Sequence, residues 1–168
     1  YPIILTVAAL TGYKKINQTI KAVERTKASL LVVGQGELSK ELNTQGLNLL
    51  GKKRFKITTY NYEEMPKVYR SCDLFTLASA SSEAFGIAYL EAMASGLGIV
   101  APDDEIRREI VGEAGVLTAC EDEVKYAQTL EKALGKDWVG ESLKQAQKFD
   151  WQFQSEKFYK GLAEICDF

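Results

Sequence analysis

Short apolar runs alternate with amphipathic stretches along the whole chain, and this alternation constrains the fold more than any other feature of the sequence. Each apolar run is continuous, as strands require when helices cover both faces of their sheet. The runs predicted as strands are 3–9, 29–33, 54–58, 74–77, 98–101 and 116–118. Strands that alternate with helices pair in parallel through crossover connections. The sequence therefore predicts an α/β fold, a Rossmann-like doubly wound parallel sheet of about six strands with helices on both faces.

The stretches between those runs carry apolar residues at helical spacing, as Ile16, Ile20 and Val23 illustrate. They predict helices at 16–26, 37–46, 62–70, 85–95, 105–111 and 123–134, and a tail, 139–168, of two helices broken near Asp150. At 168 residues, with neither a repeat nor a linker, the chain is expected to be a single domain, 1–168. It opens on an apolar strand without a signal peptide, which favours a domain cut from a longer protein.

The charge pattern excludes several classes of partner. The net charge is −2 and the lysines and arginines are dispersed, so no basic stripe is available for nucleic-acid phosphates. The longest apolar candidate for a membrane span, 85–101, is interrupted by Glu91 and by three glycines. We therefore expect neither nucleic-acid binding nor a transmembrane helix.

The cysteines and the missing histidines limit the possible chemistry. Cys72, Cys120 and Cys166 form no C-x-x-C pair, so we expect reduced, buried thiols and a cytoplasmic protein. The chain has no histidine, which excludes Ser-His and Cys-His catalytic pairs and imidazole metal ligands within it. Catalysis must therefore use carboxylates, backbone amides and lysines, or a partner domain.

Two turns lie where a predicted strand leads into a predicted helix, the position at which open α/β sheets bind ligands. The first contains Gly34 and Gly36, but the third glycine of the dinucleotide fingerprint is missing, so a nicotinamide site is disfavoured. Two interpretations of these glycines remain open: a tight strand-to-helix turn, and a wall of a ligand cleft.

The second turn, 78–86, contains small polar residues and Gly86 before a helix start. Free backbone amides at a helix start attract anions, and Gly86 allows a diphosphate or a hexose to approach the backbone. The alternative is a capping loop with no ligand.

Two acids, Glu83 and Glu91, border this otherwise apolar stretch. In an ideal helix, residues i and i+8 lie about 12 Å apart along the axis and about 80° apart around it. The pair therefore suits one elongated ligand best if Glu83 lies in the loop and Glu91 lies two turns inside the helix. A buried Glu91 would need hydrogen-bond donors, such as sugar hydroxyls, or access to solvent.

The same segment resembles the hallmark of a known family. It reads SSEAFGIAYLEAMASGLGIVAPDDEIRREIVGEAGVL (81–117). The retaining glycosyltransferases of the family-4 type, or glycosyl transferases group 1, have a similar pattern of Glu-x-Phe-Gly, a short apolar run, Leu-Glu-Ala-Met-Ala-x-Gly and a strand. Four further strings resemble other parts of that family: VAALTGYKKINQTIKAV, LLVVGQGEL, MPKVYRSCDLFTLAS and KFDWQFQSEKF.

The resemblance implies a GT-B fold of two facing Rossmann-like domains, of which this chain is similar to the C-terminal, donor-binding one. The N-terminal domain of the parent chain would hold the acceptor. The donor would be a nucleoside diphosphate sugar, with uridine, guanosine or adenosine as the nucleoside, and no cofactor or metal is implied.

Carried over by position, the resemblance assigns catalytic roles to Glu83, beside the donor sugar, and to Lys14, on the leaving phosphate. Glu91 would bind the ribose hydroxyls, and the loop around Tyr60 would border the base. The resemblance also implies that Gly34 lines the donor cleft and that the sugar and diphosphate meet the backbone amides of Phe85, Gly86 and Ile87.

The sequence departs from the family pattern at two places. Ala8 and Ala9 stand where the family usually has Gly-Arg, so the arginine that shares the phosphate charge is missing. A Gly-Gly pair is also missing from the segment after the fifth strand, where Arg107 and Arg108 follow Ile106. We expect these two arginines to form an exposed helical face. Lys14 and Lys15 could equally be two solvated lysines at a helix start.

The principal hypothesis is metal-independent transfer of a hexose with retention at the anomeric carbon, to a glycan, lipid or other acceptor. The sequence contains no Asp-x-Asp metal signature, which agrees with that hypothesis. Two alternatives remain: a non-catalytic module that binds a nucleotide sugar, and a related epimerase or phosphorylase.

Overall fold

The structure, a computed structural model, describes residues 1–80 and 86–166, without the side chains at 153 and 164–166. The described residues form one six-stranded sheet in the order β3-β2-β1-β4-β5-β6, with every neighbouring pair parallel. The strands are β1 (Ile3–Val7), β2 (Ser29–Val33), β3 (Phe55–Thr58), β4 (Leu74–Thr76), β5 (Gly98–Pro102) and β6 (Gly115–Thr118). This order is that of a doubly wound sheet, so the predicted fold is confirmed.

Helices connect these strands. They are α1 (Ile16–Glu24), α2 (Ser39–Leu50), α3 (Met65–Arg70), α4 (Ile87–Ala94), α5 (Glu105–Val111), α6 (Glu123–Leu134), α7 (Val139–Gln147) and α8 (Trp151–Cys166). Short 3₁₀ turns, Gly12–Lys14, Tyr62–Glu64 and Gly112–Ala114, precede α1, α3 and β6. The bounds of α5 and α6 agree with the prediction, and the tail breaks between α7 and α8 as expected.

The prediction for α2 was wrong by several residues at its end. A glycine often ends a helix, but Gly46 lies inside α2, where a Cβ atom would come within 2.1 Å of the Phe55 ring. The glycine therefore makes room for a buried aromatic ring. The helix ends instead at Gly51, whose φ of 72° suits a residue without a side chain.

Two apolar layers cover the two faces of the sheet. One contains residues of α1, α2 and α6, such as Ile20, Leu42 and Leu130, packed with strand residues including Ile4 and Val32. The other contains residues of α3, α4 and α5, with strand residues Leu5, Phe75 and Ile99. Because both faces are covered, the central strands are apolar along their whole length.

A buried polar chain fixes the central strands relative to α1 and α6. The Thr76 hydroxyl donates to the Val100 carbonyl (2.7 Å) and accepts from the Tyr126 hydroxyl (2.6 Å). The Tyr126 hydroxyl in turn lies 3.2 Å from that of Thr19. Because each hydroxyl has a partner, this polar group is retained in the core without an unsatisfied oxygen.

Arg107 contradicts the expectation of an exposed pair of arginines. Its side chain is fully buried and donates to Asp104 Oδ2 (2.8 Å), to Ser79 Oγ (2.7 Å) and to the Ala80 carbonyl (3.0 Å). Arg108, by contrast, is exposed and pairs with Asp103 at the surface. The sequence could not separate the two because only the helix register decides which one points inward. Arg107 thereby joins α5 to the chain that leaves β4.

The cysteines that the structure describes agree with the sequence. Cys72 and Cys120 are buried and form no disulfide. Burial raises the pKa of the Cys72 thiol to about 11 and that of Cys120 to about 12, so both are held as thiols. Within residues 1–80 and 86–166, no helix has the length and apolar character needed to cross a bilayer.

Gly98 is expected to be intolerant of a side chain. A Cβ atom there would lie 2.3 Å from the buried Trp138 indole, which is fixed because its Nε1 donates to the Ala133 carbonyl. Gly98→Ala should lower the free energy of unfolding by about 1–3 kcal/mol in urea denaturation. As the control, Gly140→Ala adds the same atom to α7 with nothing within 4 Å and should be neutral or add about 0.4–1 kcal/mol. Equal effects of the two changes would contradict the packing described here.

Arg107 and Arg108 offer a second matched pair. Arg107→Ala removes a buried charge and leaves the Ser79 hydroxyl and the Ala80 carbonyl without a donor, so a loss of about 3–5 kcal/mol is expected. Arg108→Ala removes a surface ion pair and should change stability by less than about 1 kcal/mol. Both values come from urea unfolding followed by circular dichroism. An Arg107 variant as stable as the Arg108 variant would show that the buried contacts contribute little.

Candidate functional site

The strand order reverses between β1 and β4, and this is where a doubly wound sheet leaves a crevice at its carboxyl edge. In the sheet, β2 lies on one side of β1 and β4 lies on the other side. The turns after β1, β2, β3 and β4 all lie at this edge because the strands are parallel. Of the predicted site residues that the structure describes, Lys14, Gly34 and Tyr60 belong to the turns after β1, β2 and β3. Gly86 precedes α4, and Ile87 and Glu91 belong to that helix.

A cleft of about 820 Å³ lies at this edge. It brings together Gly34, Tyr60 and Glu91, three of the predicted site residues, with Ala8 and Ala9. Its other lining residues are Val7, Val33, Gln35, Thr59, Asn61, Tyr62, Glu64 and Met65. A groove of about 730 Å³ along the outer surface of α2 contains none of the predicted residues and lies away from the strand ends.

Gly34 forms the floor of the cleft through a close contact between two turns. Its φ is 151°, and a Cβ atom there would lie 1.9 Å from the Ala8 carbonyl oxygen. Gly36 is similarly confined, since a Cβ atom would lie 2.5 Å from the Leu10 carbonyl oxygen. The tight turn is therefore confirmed. Gly34 also lines the cleft, and its contact with a ligand stays a prediction.

Tyr60 and the residues after it form one wall. Tyr60 follows β3 and is 37% exposed, so part of its ring faces the open cleft. The next residues are ordered by a capping box, in which Asn61 N–H donates to Glu64 Oε2 at 2.9 Å. This wall is therefore a structured edge rather than a free loop.

Glu91 forms the opposite side. It is half-buried in α4, and the Tyr69 hydroxyl donates to its Oε2 at 2.7 Å. Burial, together with the hydrogen bond to Glu91, raises the pKa of Tyr69 well above its ordinary value, so the phenol remains a donor. Glu91 was expected to need a hydrogen-bond donor or access to solvent. It has the Tyr69 hydroxyl as a donor and is also partly exposed to solvent. Because α4 begins at Ile87 rather than at 85, Glu91 lies about one turn inside the helix, not two.

Gly86 is the N-cap of α4, with φ 71° and ψ 64°. The left-handed conformation explains the glycine, and Tyr89 N–H donates to its carbonyl at 2.9 Å. Ile87 is 66% exposed at the helix start. The sequence predicted anion-binding amides at this helix start, and that role stays a prediction.

Lys14 lies at the end of the 3₁₀ turn Gly12–Lys14, beside the chain that leaves β4. Ala80 N–H donates to the Tyr13 carbonyl at 3.0 Å, which joins the two segments. The Lys14 ammonium lies 4.7 Å from the centre of the Tyr13 ring. Lys15 follows with a φ of 49°, the left-handed conformation, and is the N-cap of α1. Both lysines are half-buried, so they are not two fully solvated side chains.

Lys14, Gly86 and Ile87 are not among the residues that line the 820 Å³ cleft. Glu83 and Phe85 lie outside the described residues, so their predicted roles stay predictions. Among the residues described, no cluster of three or more His, Cys, Asp or Glu side chains is placed to hold a metal ion.

Two residues of the site were missed by sequence reasoning. Tyr69 donates directly to Glu91, and Arg107, which was expected at the surface, donates to the chain that leaves β4. Met65 and Tyr69 are four residues apart on α3 and both lie next to Glu91, so helical spacing was the available signal.

The charged side chains divide the site into an acidic cleft and a neighbouring part that contains the lysine turn and the start of α4. Among the residues that the structure describes, the lining of the 820 Å³ cleft includes two acids, Glu64 and Glu91, and neither lysine nor arginine. Carboxylates bind hydroxyl groups well and repel phosphates. A hydroxyl-bearing ligand therefore suits the cleft itself, and an anionic group suits the neighbouring lysine turn and the start of α4.

The family model described as Glycosyl transferases group 1 matches residues 1–150. The phosphatidyl-myo-inositol mannosyltransferase of Mycolicibacterium smegmatis is 30% identical over 138 residues, which cover 78% of this chain and 35% of that protein. The corresponding Mycobacterium leprae protein is 30% identical over 144 residues, 82% of this chain and 38% of the relative. The chain therefore spans little more than a third of these relatives.

Solved structures share the fold. Anabaena HepE in complex with UDP superposes with a TM-score of 0.85 at 22% identity, covering 96% of this chain and 48% of that one. The apo form of the lipopolysaccharide outer core galactosyltransferase WaaB gives a TM-score of 0.86 at 18% identity, with 98% and 49% covered. Together with the match over 150 of 168 residues, these findings show that the chain belongs to the glycosyl transferases group 1 family.

Proposed function

We propose that this chain is the donor-binding domain of a retaining hexosyltransferase, which transfers a hexose from a nucleoside diphosphate sugar to an acceptor. The observation that carries the proposal is the meeting of Gly34, Tyr60 and Glu91 in one cleft at the carboxyl edge of the sheet. Membership of the glycosyl transferases group 1 family supports it. A structural neighbour that binds UDP supports a uridine nucleotide as the first ligand to try.

The nucleoside half of the donor would occupy the acidic part of the cleft. Glu91 would accept hydrogen bonds from the ribose hydroxyls, and Tyr60 would border the base. Gly34 would line the floor, where a side chain would collide with Ala8 as well as with a ligand. The described part of this lining carries carboxylates and no basic side chain, which supports a neutral sugar and base there rather than phosphate.

The diphosphate would extend toward Lys14 and the first amides of α4, at Gly86 and Ile87. Transfer breaks the bond between the anomeric carbon and the β-phosphate oxygen, and the acceptor oxygen forms the new bond on the same face of the sugar. The lysine and the amides stabilise the negative charge that develops on the leaving diphosphate. Glu83 would lie at the reacting centre, where a carboxylate favours positive charge on the sugar ring. This chemistry requires no bound metal.

The acceptor would bind to an N-terminal domain of the same parent chain. The relatives are more than twice as long as this chain, which leaves room for such a domain. The named acceptor of those relatives is phosphatidyl-myo-inositol. A glycan, a lipid or another molecule remains equally open for this protein.

A second candidate function is a module that binds a nucleotide sugar without transferring it. The structure places Ala8 and Ala9 in the lining of the cleft. The family's usual Gly-Arg would stand there, so a phosphate-binding charge is missing from the site itself. This candidate predicts nucleotide binding without turnover.

Nucleotide binding tests the site shared by both candidates. Calorimetric titration with UDP, GDP and ADP should show binding of at least one, and Glu91→Ala should weaken it about 10- to 100-fold, because hydrogen bonds to a charged group are lost. Glu131→Ala is the control, since Glu131 is exposed on α6, across the sheet. An unchanged affinity in a folded Glu91→Ala protein would exclude Glu91 from the site.

Turnover separates transfer from binding alone. In the parent chain, Glu83→Ala should lower kcat about 100-fold or more, because a group that stabilises the transition state is removed. Release of nucleoside diphosphate from the donor is the measurement, and Glu105→Ala, an exposed acid on α5, is the control. Full activity in the Glu83 variant would remove Glu83 from the mechanism. A parent chain with an intact acceptor domain, nucleotide binding and no turnover would favour the binding module.

A further inference from the structure

We propose that Tyr69 is a positioning residue, which holds the Glu91 carboxylate in the orientation that recognises the two ribose hydroxyls of the donor. The inference rests on the proposed function, because it requires Glu91 to bind ribose. It adds a residue that no part of the acidic motif contains. Tyr69 belongs to α3 and lies 22 positions before Glu91 in sequence.

The hydrogen bond between them leaves one carboxylate oxygen for a ligand. The Tyr69 hydroxyl donates to Glu91 Oε2 at 2.7 Å, a short distance typical of a charge-assisted bond. Within residues 1–80 and 86–166, this is the one hydrogen bond that the structure gives the Glu91 side chain. Oε1 therefore remains available for a ligand, and its direction is set by the bond to Oε2.

Packing fixes the Tyr69 side chain, so its hydroxyl can hold the Glu91 carboxylate in one orientation. Its side chain is 2% exposed, and its ring packs against Phe75 with centroids 6.1 Å apart. Phe75 in turn meets Tyr89 edge-on at 5.7 Å, and the Tyr89 hydroxyl donates to the Leu77 carbonyl. The aromatic row thus connects the Tyr69 hydroxyl to the end of β4.

The Glu91 carboxylate has a second orientation open to it. It lines the 820 Å³ cleft and also a smaller hollow of about 290 Å³ between α3 and α4, which Arg70 lines. A glutamate has three rotatable side-chain bonds, so a carboxylate released from Tyr69 can turn into the hollow that Arg70 lines. The phenol prevents this, because its high pKa keeps it a neutral donor. Binding then avoids the entropy loss of ordering the glutamate.

A purely structural role of Tyr69, as a bond between α3 and α4, is the competing explanation. The positioning role and the structural role differ in which ligands would lose affinity when the Tyr69 hydroxyl is removed. A positioning role affects only ligands that carry the ribose hydroxyls, whereas a general loosening of the cleft weakens every nucleotide alike.

The experiment therefore compares ligands as well as proteins. UDP, GDP and ADP are titrated into the unmodified chain, and the one that binds is compared with its 2′,3′-dideoxy counterpart. Tyr69→Phe keeps the ring and removes only the hydroxyl. Tyr126→Phe is the matched control, because its hydroxyl is equally buried and bonded but touches Thr19 and Thr76 instead of Glu91. Tyr69→Phe is also made in the Glu91→Ala background.

Tyr69→Phe should weaken the ribonucleotide about 3- to 10-fold, the range expected for ordering one flexible side chain. Affinity for the dideoxy nucleotide should not change, and Tyr126→Phe should not alter the ratio of the two affinities. In the Glu91→Ala background Tyr69→Phe should have no further effect.

An equal loss for both nucleotides, or none for either, would overturn the role of Tyr69 while Glu91→Ala still weakens the ribonucleotide. If Glu91→Ala itself leaves the ribonucleotide unaffected, the proposed ribose contact is wrong, and the role of Tyr69 falls with it. The two failures are therefore distinguished by the Glu91 variant alone.

Discussion

The buried guanidinium of Arg107 is the interaction on which the geometry of the site depends. It donates to Ser79 and to the Ala80 carbonyl, while the amide of Ala80 donates to the carbonyl of Tyr13. The backbone of Ala80, shortly after β4, is thus bonded to α5 through its carbonyl and to the turn that contains Lys14 through its amide. Both terminal nitrogens of the guanidinium donate hydrogen bonds, whereas its buried Nε has no partner among the described residues. A shift of the segment would therefore leave further buried donors unsatisfied. The chain enters the acidic motif from a fixed point.

The fold could be predicted because hydrophobic pattern alone determines it. Continuous apolar runs require a sheet covered on both faces, and each predicted strand was found within two residues of its expected bounds. The helix bounds were predicted wrongly where the role of a residue depends on what packs against it. Gly46 was expected to end α2, but it continues the helix because Phe55 occupies the space of its side chain. Only the three-dimensional packing reveals such a reason.

The site was predicted less completely, and the cause is again physical. Gly34, Tyr60 and Glu91 do meet in one cleft, since the carboxyl ends of parallel strands share an edge. Arg107 was expected at the surface because a charge in a short helix gives no sign of which way it points. Tyr69 was missed because its partner lies on another helix. Glu83 and Phe85 stay predictions, which rest on family resemblance and not on described geometry.

The backbone of the turn that contains Lys14 should keep its structure when the salt concentration changes. Its backbone is fixed by main-chain hydrogen bonds from Lys14 to Thr11 and from Lys15 to Gly12, and by the unusual left-handed conformation of Lys15. Dissolved ions screen charges but leave such bonds intact. If Lys14 binds the donor diphosphate as proposed, concentrated salt should weaken that attraction without moving the lysine's backbone. Dilution would then restore binding without any refolding of the turn.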